Sequence, residues 1–207
     1  MFRLKLIKYL EQPAIRLIAT IFFSFALVMG ATNVARSSEL NVRLGEDFTT
    51  LDPAFWQSGA DLTMINVLFP KLIEFKSGSD WEYELQAAES IEQVDELTIK
   101  FTLKPGLMWT GDYGEVTAED VKYSYERYID PDLASPIIGD WLPLKEVEVL
   151  DKYNGIIHLK EPFAPIWWST LPYSSGAIVS KSATEKAGGK FTTDPGATAG
   201  AYKIESW

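Results

Sequence analysis

The chain has no cysteine and a single histidine, His158. Without cysteine there is no disulfide framework, no thiolate metal site and no lipid-bearing cysteine of the bacterial lipoprotein kind. One histidine without thiolates also excludes a histidine-rich zinc cluster. The glycine patterns that cradle phosphates, GxxxxGK[ST] and GxGxxG, are missing, as is the GxSxG elbow that presents a catalytic serine. No repeat or low-complexity run occurs. Positive charge is scarce: 19 Lys and Arg stand against 29 Asp and Glu, a net charge of −10. Such a surface repels nucleic acid and anionic headgroups, so neither is an expected partner.

What is present is a chain of 207 residues, 46% hydrophobic and 23% charged, enough to bury a core as one domain or part of a larger one. Arg3, Lys5, Lys8 and Arg16 precede the apolar run LIATIFFSFALVMGA, Leu17 to Ala31. That run is short of the roughly 20 apolar residues that span a bilayer. A basic flank, an apolar stretch and small residues form a signal-peptide pattern, so residues 1–38 read as a cleaved signal, cut after Ala31, Ala35 or a residue near Ser38. The periplasm is the expected destination. Removing those residues takes away five basic groups and one acid, leaving 14 against 28.

Strand and helix patterns interleave in the α/β manner. LNVRL, Leu40 to Leu44, reads as a strand, followed by the turn-rich and aromatic loop GEDFTTLDPAFWQSGAD. A helix is expected from Asp61 until Pro70 disturbs it. LTIKFTLK alternates, with Leu97, Ile99, Phe101 and Leu103 on one face. In VTAEDVKYSYERY, Thr117 is placed to cap a helix and Asp120 to accept the Thr117 amide, while Val121, Tyr125 and Tyr128 form one apolar stripe. KEVEVLD and GIIHLK form a strand pair joined at Lys152 to Gly155, FAPIWWSTL a short helix with Pro165 in its first turn, and SATEKAGG another helix, stopped by Gly188 and Gly189. AYKIESW is extended.

Candidates for chemistry are few. His158 has no partner motif and reads as a surface strand residue. Asp112 with Glu115 and Glu119 with Asp120 are acid pairs, but one set lies in a turn and the other at a helix start, which are stability roles rather than those of glycosidase carboxylates. Aromatics remain: 7 Trp, 9 Tyr and 11 Phe. Trp56 lies in a loop beside Gln57, Ser58 and Gly59, where backbone donors and a flat apolar face meet; Trp141 and Tyr173 also fall in irregular stretches.

The ordered block LQAAESIEQVDELTIKFTLKPGLMWTGDYGEVTAEDVKYSYER resembles the signature region of the family 5 extracellular solute-binding proteins. These are the dipeptide, oligopeptide and nickel binding proteins of ABC importers. TLDPA, LFPKLIEF, EVEVLDKYNGIIHLKEPFAP and GATAGAYKIESW follow the family's order, from about Leu40 to Trp207. Two departures stand out: GDYGEVTAEDV where the family often reads DGxPxTAEDV, and TAGAYK in place of GTGPYK.

The resemblance implies a type II periplasmic-binding fold, α/β with a mixed sheet and flanking helices, in which this chain makes up part of lobe I. Residues 39–70 would begin the lobe core, 71–193 would form a peripheral subdomain braced by the capped helix, and 194–207 would return to the core. Family members run to roughly two and a half times this length and close two lobes on a ligand. The implied role is a monomeric periplasmic binding component that delivers peptides or a related small solute to the permease subunits of an ABC importer, with no catalysis and no cofactor. Trp56, Gln57, Ser58, Gly59 and Ala60 would contact the solute, with Trp141 and Tyr173 as further candidates. The alternatives are a truncated remnant that binds nothing and a secreted hydrolase with an aromatic groove. The export reading has a direct check: mass spectrometry of periplasmic protein should find residues 1 to about 38 missing, whereas an intact Met1 in the membrane pellet would show an uncleaved anchor.

Overall fold

The computed structural model describes residues 42–204. The contacts divide the chain into two units, Met1–Arg43 and Leu44–Trp207, and every described strand and helix belongs to the second. The expected signal segment lies outside the described residues. So do Leu40 and Asn41 of the expected first strand, and Val42 to Leu44 carry no strand. Of AYKIESW, Tyr202 to Ile204 have no regular structure and the last three residues lie outside the described range.

The alternating segment around Ile99 becomes β4 (Thr98–Leu103), a central strand of a four-stranded antiparallel sheet. With β3 (Ala88–Asp95), β5 (Leu144–Val149) and β6 (Asn154–Leu159) the order is β3-β4-β6-β5. A two-stranded antiparallel sheet, β1 (Ile73–Phe75) and β2 (Tyr83–Leu85), precedes it. Every strand pairing among the described residues is therefore antiparallel. Ile99, Phe101 and Leu103 point into the core, as the alternation dictates. Leu97 is exposed, because it belongs to the β3–β4 turn, where its N–H is taken by Asp95. The β5–β6 turn lies one to two residues earlier than expected, since Asn154 and Gly155 already pair within β6. Glycine is required at 155: a Cβ there would sit 2.5 Å from the Phe101 ring and 2.9 Å from the Glu148 carbonyl. His158 lies on the open face of β6, 2.9 Å from Glu148 across the pair.

Among the described residues there are three α-helices: α1 (Gly59–Leu68), α2 (Ala118–Glu126) and α3 (Lys181–Lys186). α1 begins two residues before Asp61 because Ser58 serves as its N-cap. α2 is bound to β5 edge-on, through Lys122 Nζ to the Val147 carbonyl at 2.7 Å and the Val147 N–H to Glu126 at 2.8 Å. Its stripe Val121, Tyr125 and Tyr128 is fully buried. At its start the roles are not those of a simple cap. The Thr117 hydroxyl donates to Asp120 at 3.1 Å, and the Asp120 N–H bonds the Thr117 carbonyl. Asp120 is the hub, also accepting the Thr117 N–H at 2.9 Å and the Lys181 N–H at 2.9 Å, which ties α2 to the start of α3. Glu115 is similarly structural, with Lys152, the Gly106 N–H and the Tyr153 hydroxyl together pulling its carboxyl down to about 2. The Ala164–Trp167 turn is a 3₁₀ helix with proline near its start, and Gly188 and Gly189, at φ +89° and +90°, end α3.

A buried ion pair locks these parts together. Arg127, just after α2, places its two terminal nitrogens 2.6 and 2.9 Å from the two oxygens of Asp52 and a further bond on the Gly189 carbonyl at 2.8 Å. Asp52 is fully buried, and it also accepts the Ala54 N–H at 3.0 Å and the Phe191 N–H at 3.3 Å. Removing one member of such a pair strands the other charge, so Arg127→Met should lower the unfolding free energy by about 3–5 kcal/mol in urea titration. Thr117→Ala should cost no more than about 1 kcal/mol, since the Thr117 N–H keeps its bond to Asp120.

Candidate functional site

The segment from Thr49 to Asp61 is shaped by one carboxylate. Ser58 caps α1 through its Oγ, which accepts the Asp61 N–H at 3.1 Å, and Asp61 returns the bond by accepting the Ser58 N–H at 3.1 Å. The same carboxylate takes the N–H groups of Gln57 at 3.0 Å, Thr49 at 2.7 Å and Thr50 at 3.1 Å. Burial alone would push the Asp61 carboxyl upward, but the four backbone donors of Gln57, Thr49, Thr50 and Ser58 outweigh it and hold the group below its ordinary 3.8. The backbone donors of Gln57 and Ser58, expected from sequence to face a ligand, are thus used inside the protein. Those of Gly59 and Ala60 open the first turn of α1, where no intrahelical acceptor exists.

Trp56 and Tyr173 come together, as an edge-to-face pair with ring centroids 6.4 Å apart and planes at 75°. Trp56 is half-buried and its Nε1 has no hydrogen-bond partner, while Tyr173 is exposed. Gln57 and Gly59 are exposed, Ser58 is half-buried and Ala60 is buried. Gln57 also lines an open recess of about 490 Å³ with Thr49, Phe55, Lys190 and Thr192. Trp141 stands apart from this surface. It is buried to 1%, stacked on Tyr125 at 4.2 Å between centroids, and donates Nε1 to the Ser175 carbonyl at 2.8 Å. From the core it supports the turn Ser174–Gly176 that follows Tyr173. That turn is close-packed: a Cβ on Gly176 would lie 2.1 Å from the Leu171 carbonyl oxygen.

Three further residues, not singled out in sequence, form a polar chain that ends at Ser174, next to Tyr173. Asn66 on α1 accepts from Lys71 Nζ at 3.1 Å and from Ser174 Oγ at 3.4 Å. The one available signal was Lys71 itself, a charge inside the apolar run LFPKLIEF. Among the described residues no group of three or more His, Cys, Asp or Glu could hold a metal ion. Nor is any helix there long and apolar enough to cross a membrane.

The family model described as bacterial extracellular solute-binding proteins, family 5 Middle, matches residues 82–207. The chain belongs to this family. Among curated proteins it is 30% identical to the periplasmic oligopeptide-binding protein OppA of Salmonella typhimurium, over 92% of this chain and 38% of that protein. It is 28% identical to the glutathione-binding protein GsiB of an Escherichia coli strain, over 88% of this chain and 35% of that one. Among solved structures, MoaA of A. tumefacien R10 in complex with mannopinic acid superposes with a TM-score of 0.71 at 33% identity, covering 78% of this chain and 33% of that one. DppA of Helicobacter pylori in complex with the peptide STSA gives 0.66 at 26% identity, covering 79% and 36%. The fold is thus that of the type II periplasmic-binding proteins, and the chain spans a little over a third of the length of these relatives.

Asp61 gives this part of the family 5 chain a pH-dependent joint. With the folded-state carboxyl below 3.8, its stabilisation is fully present above that value and is lost as pH falls through the lower folded-state value. Asp61→Asn leaves one acceptor oxygen for four backbone donors and should cost roughly 2–4 kcal/mol at neutral pH. In urea titrations the gap between wild type and variant should stay constant down to about pH 4 and narrow below it.

Proposed function

We propose that this chain forms one wall of the solute site of a periplasmic binding component that serves an ABC importer and takes peptides or a related small solute. The observation that carries the reading is the Trp56–Tyr173 pair, an aromatic edge standing on a loop fixed from beneath by Asp61 and on a turn fixed from behind by Trp141. Rigid aromatic surface beside backbone polar groups is what a small-molecule site requires. Family membership supports the class of function, and the ligands named for relatives, oligopeptides, glutathione and mannopinic acid, span the proposed solute range.

In this reading residues 1–38 are removed on export and the mature protein works as a monomer. Residues 39–70 and 194–207 belong to the lobe core, 71–193 form the peripheral subdomain, and permease subunits receive the solute. Trp56, Gln57, Ser58, Gly59 and Tyr173 face it, Ala60 seats the first turn of α1, and Trp141 acts from the core. No acid–base or nucleophilic group is assigned, because Asp52, Asp61 and Asp120 are all engaged as structural acceptors.

One wall leaves much of a bound peptide in water, so contacts that favour closure around a ligand require a facing lobe. The 207-residue chain alone should therefore bind weakly, and the product of joining the same residues to a facing lobe should bind measurably, in calorimetric titration of a mixed di- and oligopeptide panel. Trp56→Ala in that product should weaken binding about tenfold while the melting temperature moves little. Tight binding by the short chain, or indifference to Trp56→Ala, would sink the two-walled site.

A further inference from the structure

Lys71 is the only buried lysine among the described residues, at 5% exposure. Its backbone is fixed on both sides: the N–H donates to Gln86 Oε1 at 2.6 Å, and the residue pairs with Ala177 in an antiparallel bridge. Leu68, Phe69, Leu72 and Ile73 around it in sequence are at most 1% exposed. The side chain therefore leaves from a rigid, apolar site, yet it ends in an ammonium.

That ammonium is poorly matched. Its one hydrogen bond is to Asn66 Oδ1, a neutral acceptor already shared with Ser174 Oγ. No carboxylate lies within ion-pair distance of it among the described residues. Glu74 acts on it through space, but one oxygen of Glu74 is occupied by Gln86 Nε2 at 2.7 Å. Arg127, buried to a similar degree, shows what the same chain does when a buried cation serves the fold: it receives both oxygens of Asp52 and a backbone carbonyl. A three-donor ammonium given one neutral partner is an uncompensated charge. Consistently, burial lowers the lysine's pKa, with Glu74 opposing.

Its position gives the charge a use. Lys71, Asn66 and Ser174 form a short polar chain, Ser174 follows Tyr173, and Tyr173 stands edge-on to Trp56. We propose that Lys71 is the anion anchor of the solute site, receiving a carboxylate of the bound solute beside the Trp56–Tyr173 wall, with Asn66 holding the ammonium in readiness. This rests on the solute-binding reading and deepens it to acidic solutes. The ammonium has already lost its water, so pairing with a carboxylate recovers charge interaction without a new dehydration cost on the protein side. Asn66 is half-buried, so the polar chain runs from the buried ammonium toward the surface. A local cation also offsets the field of a chain with net charge −10, which otherwise repels acidic solutes.

The test is calorimetric titration of the two-lobed protein carrying these residues with matched pairs: di- and tripeptides against their C-terminal amides, and gluconate against glucitol. Wild type should prefer the carboxylate member, and Lys71→Met should weaken that member about tenfold or more while leaving the neutral member within about twofold. Lys71→Arg should retain part of the preference. The melting temperature of Lys71→Met should hold or rise, because a buried unpaired charge is removed. Equal losses for both members, no loss for either, or a collapse of the melting temperature in both Lys71→Met and Lys71→Gln would assign Lys71 to the fold and overturn the inference alone. Absence of binding by every probe would overturn the solute-binding reading together with it.

Discussion

Asp52 and Arg127 lie 75 residues apart and meet in two parallel bonds inside the protein. Neither charge would be tolerable there alone, because the cost of dehydrating an ion is offset by a partner of opposite sign and added hydrogen bonds, although Arg127 Nε is left without one. Satisfying both fixes three chain segments at once: the TLDPA loop through the Ala54 N–H, the end of α2 through Arg127, and the stretch after α3 through the Gly189 carbonyl and the Phe191 N–H. Trp56 lies four residues beyond Asp52 in the same loop. Its geometry therefore depends on a contact that lies outside the Trp56–Tyr173 pair.

The same device recurs. Asp61 gathers four backbone donors at the start of α1, and Asp120 links α2 to α3. A carboxylate accepting several N–H groups is strong and directional, and it suits turns whose own backbone cannot pair. These acids resemble catalytic candidates in sequence because both roles favour Asp and Glu near turns and helix starts. In the fold their oxygens are filled by the backbone. Lys71 is the contrast: a buried charge whose ammonium has only the neutral Asn66 as a hydrogen-bond partner among the described residues.

The four-stranded sheet and α2 are tied to each other by direct bonds. α2 buries its stripe and holds β5 by backbone-directed bonds, while the surface that faces outward near Trp56 comes from α1, the preceding loop and the turn after Tyr173.

The sequence by itself determined several of the local elements, but not β1, β2 or β3. Strict alternation placed β4, the Thr117 to Asp120 pattern placed α2, proline and glycine bounded the short helices, and several motifs in order identified the family. These are short-range matters of sterics, periodicity and capping, decided within about ten residues. What only the tertiary structure decided were partnerships across long separations: Trp56 with Tyr173, Arg127 with Asp52, and Lys71 with Asn66 and Ser174. Trp141 and Tyr173 look alike in sequence, both in irregular stretches after turn residues, yet one is stacked in the core and the other exposed. Burial is set by which distant segments close over a side chain, and no local pattern encodes that.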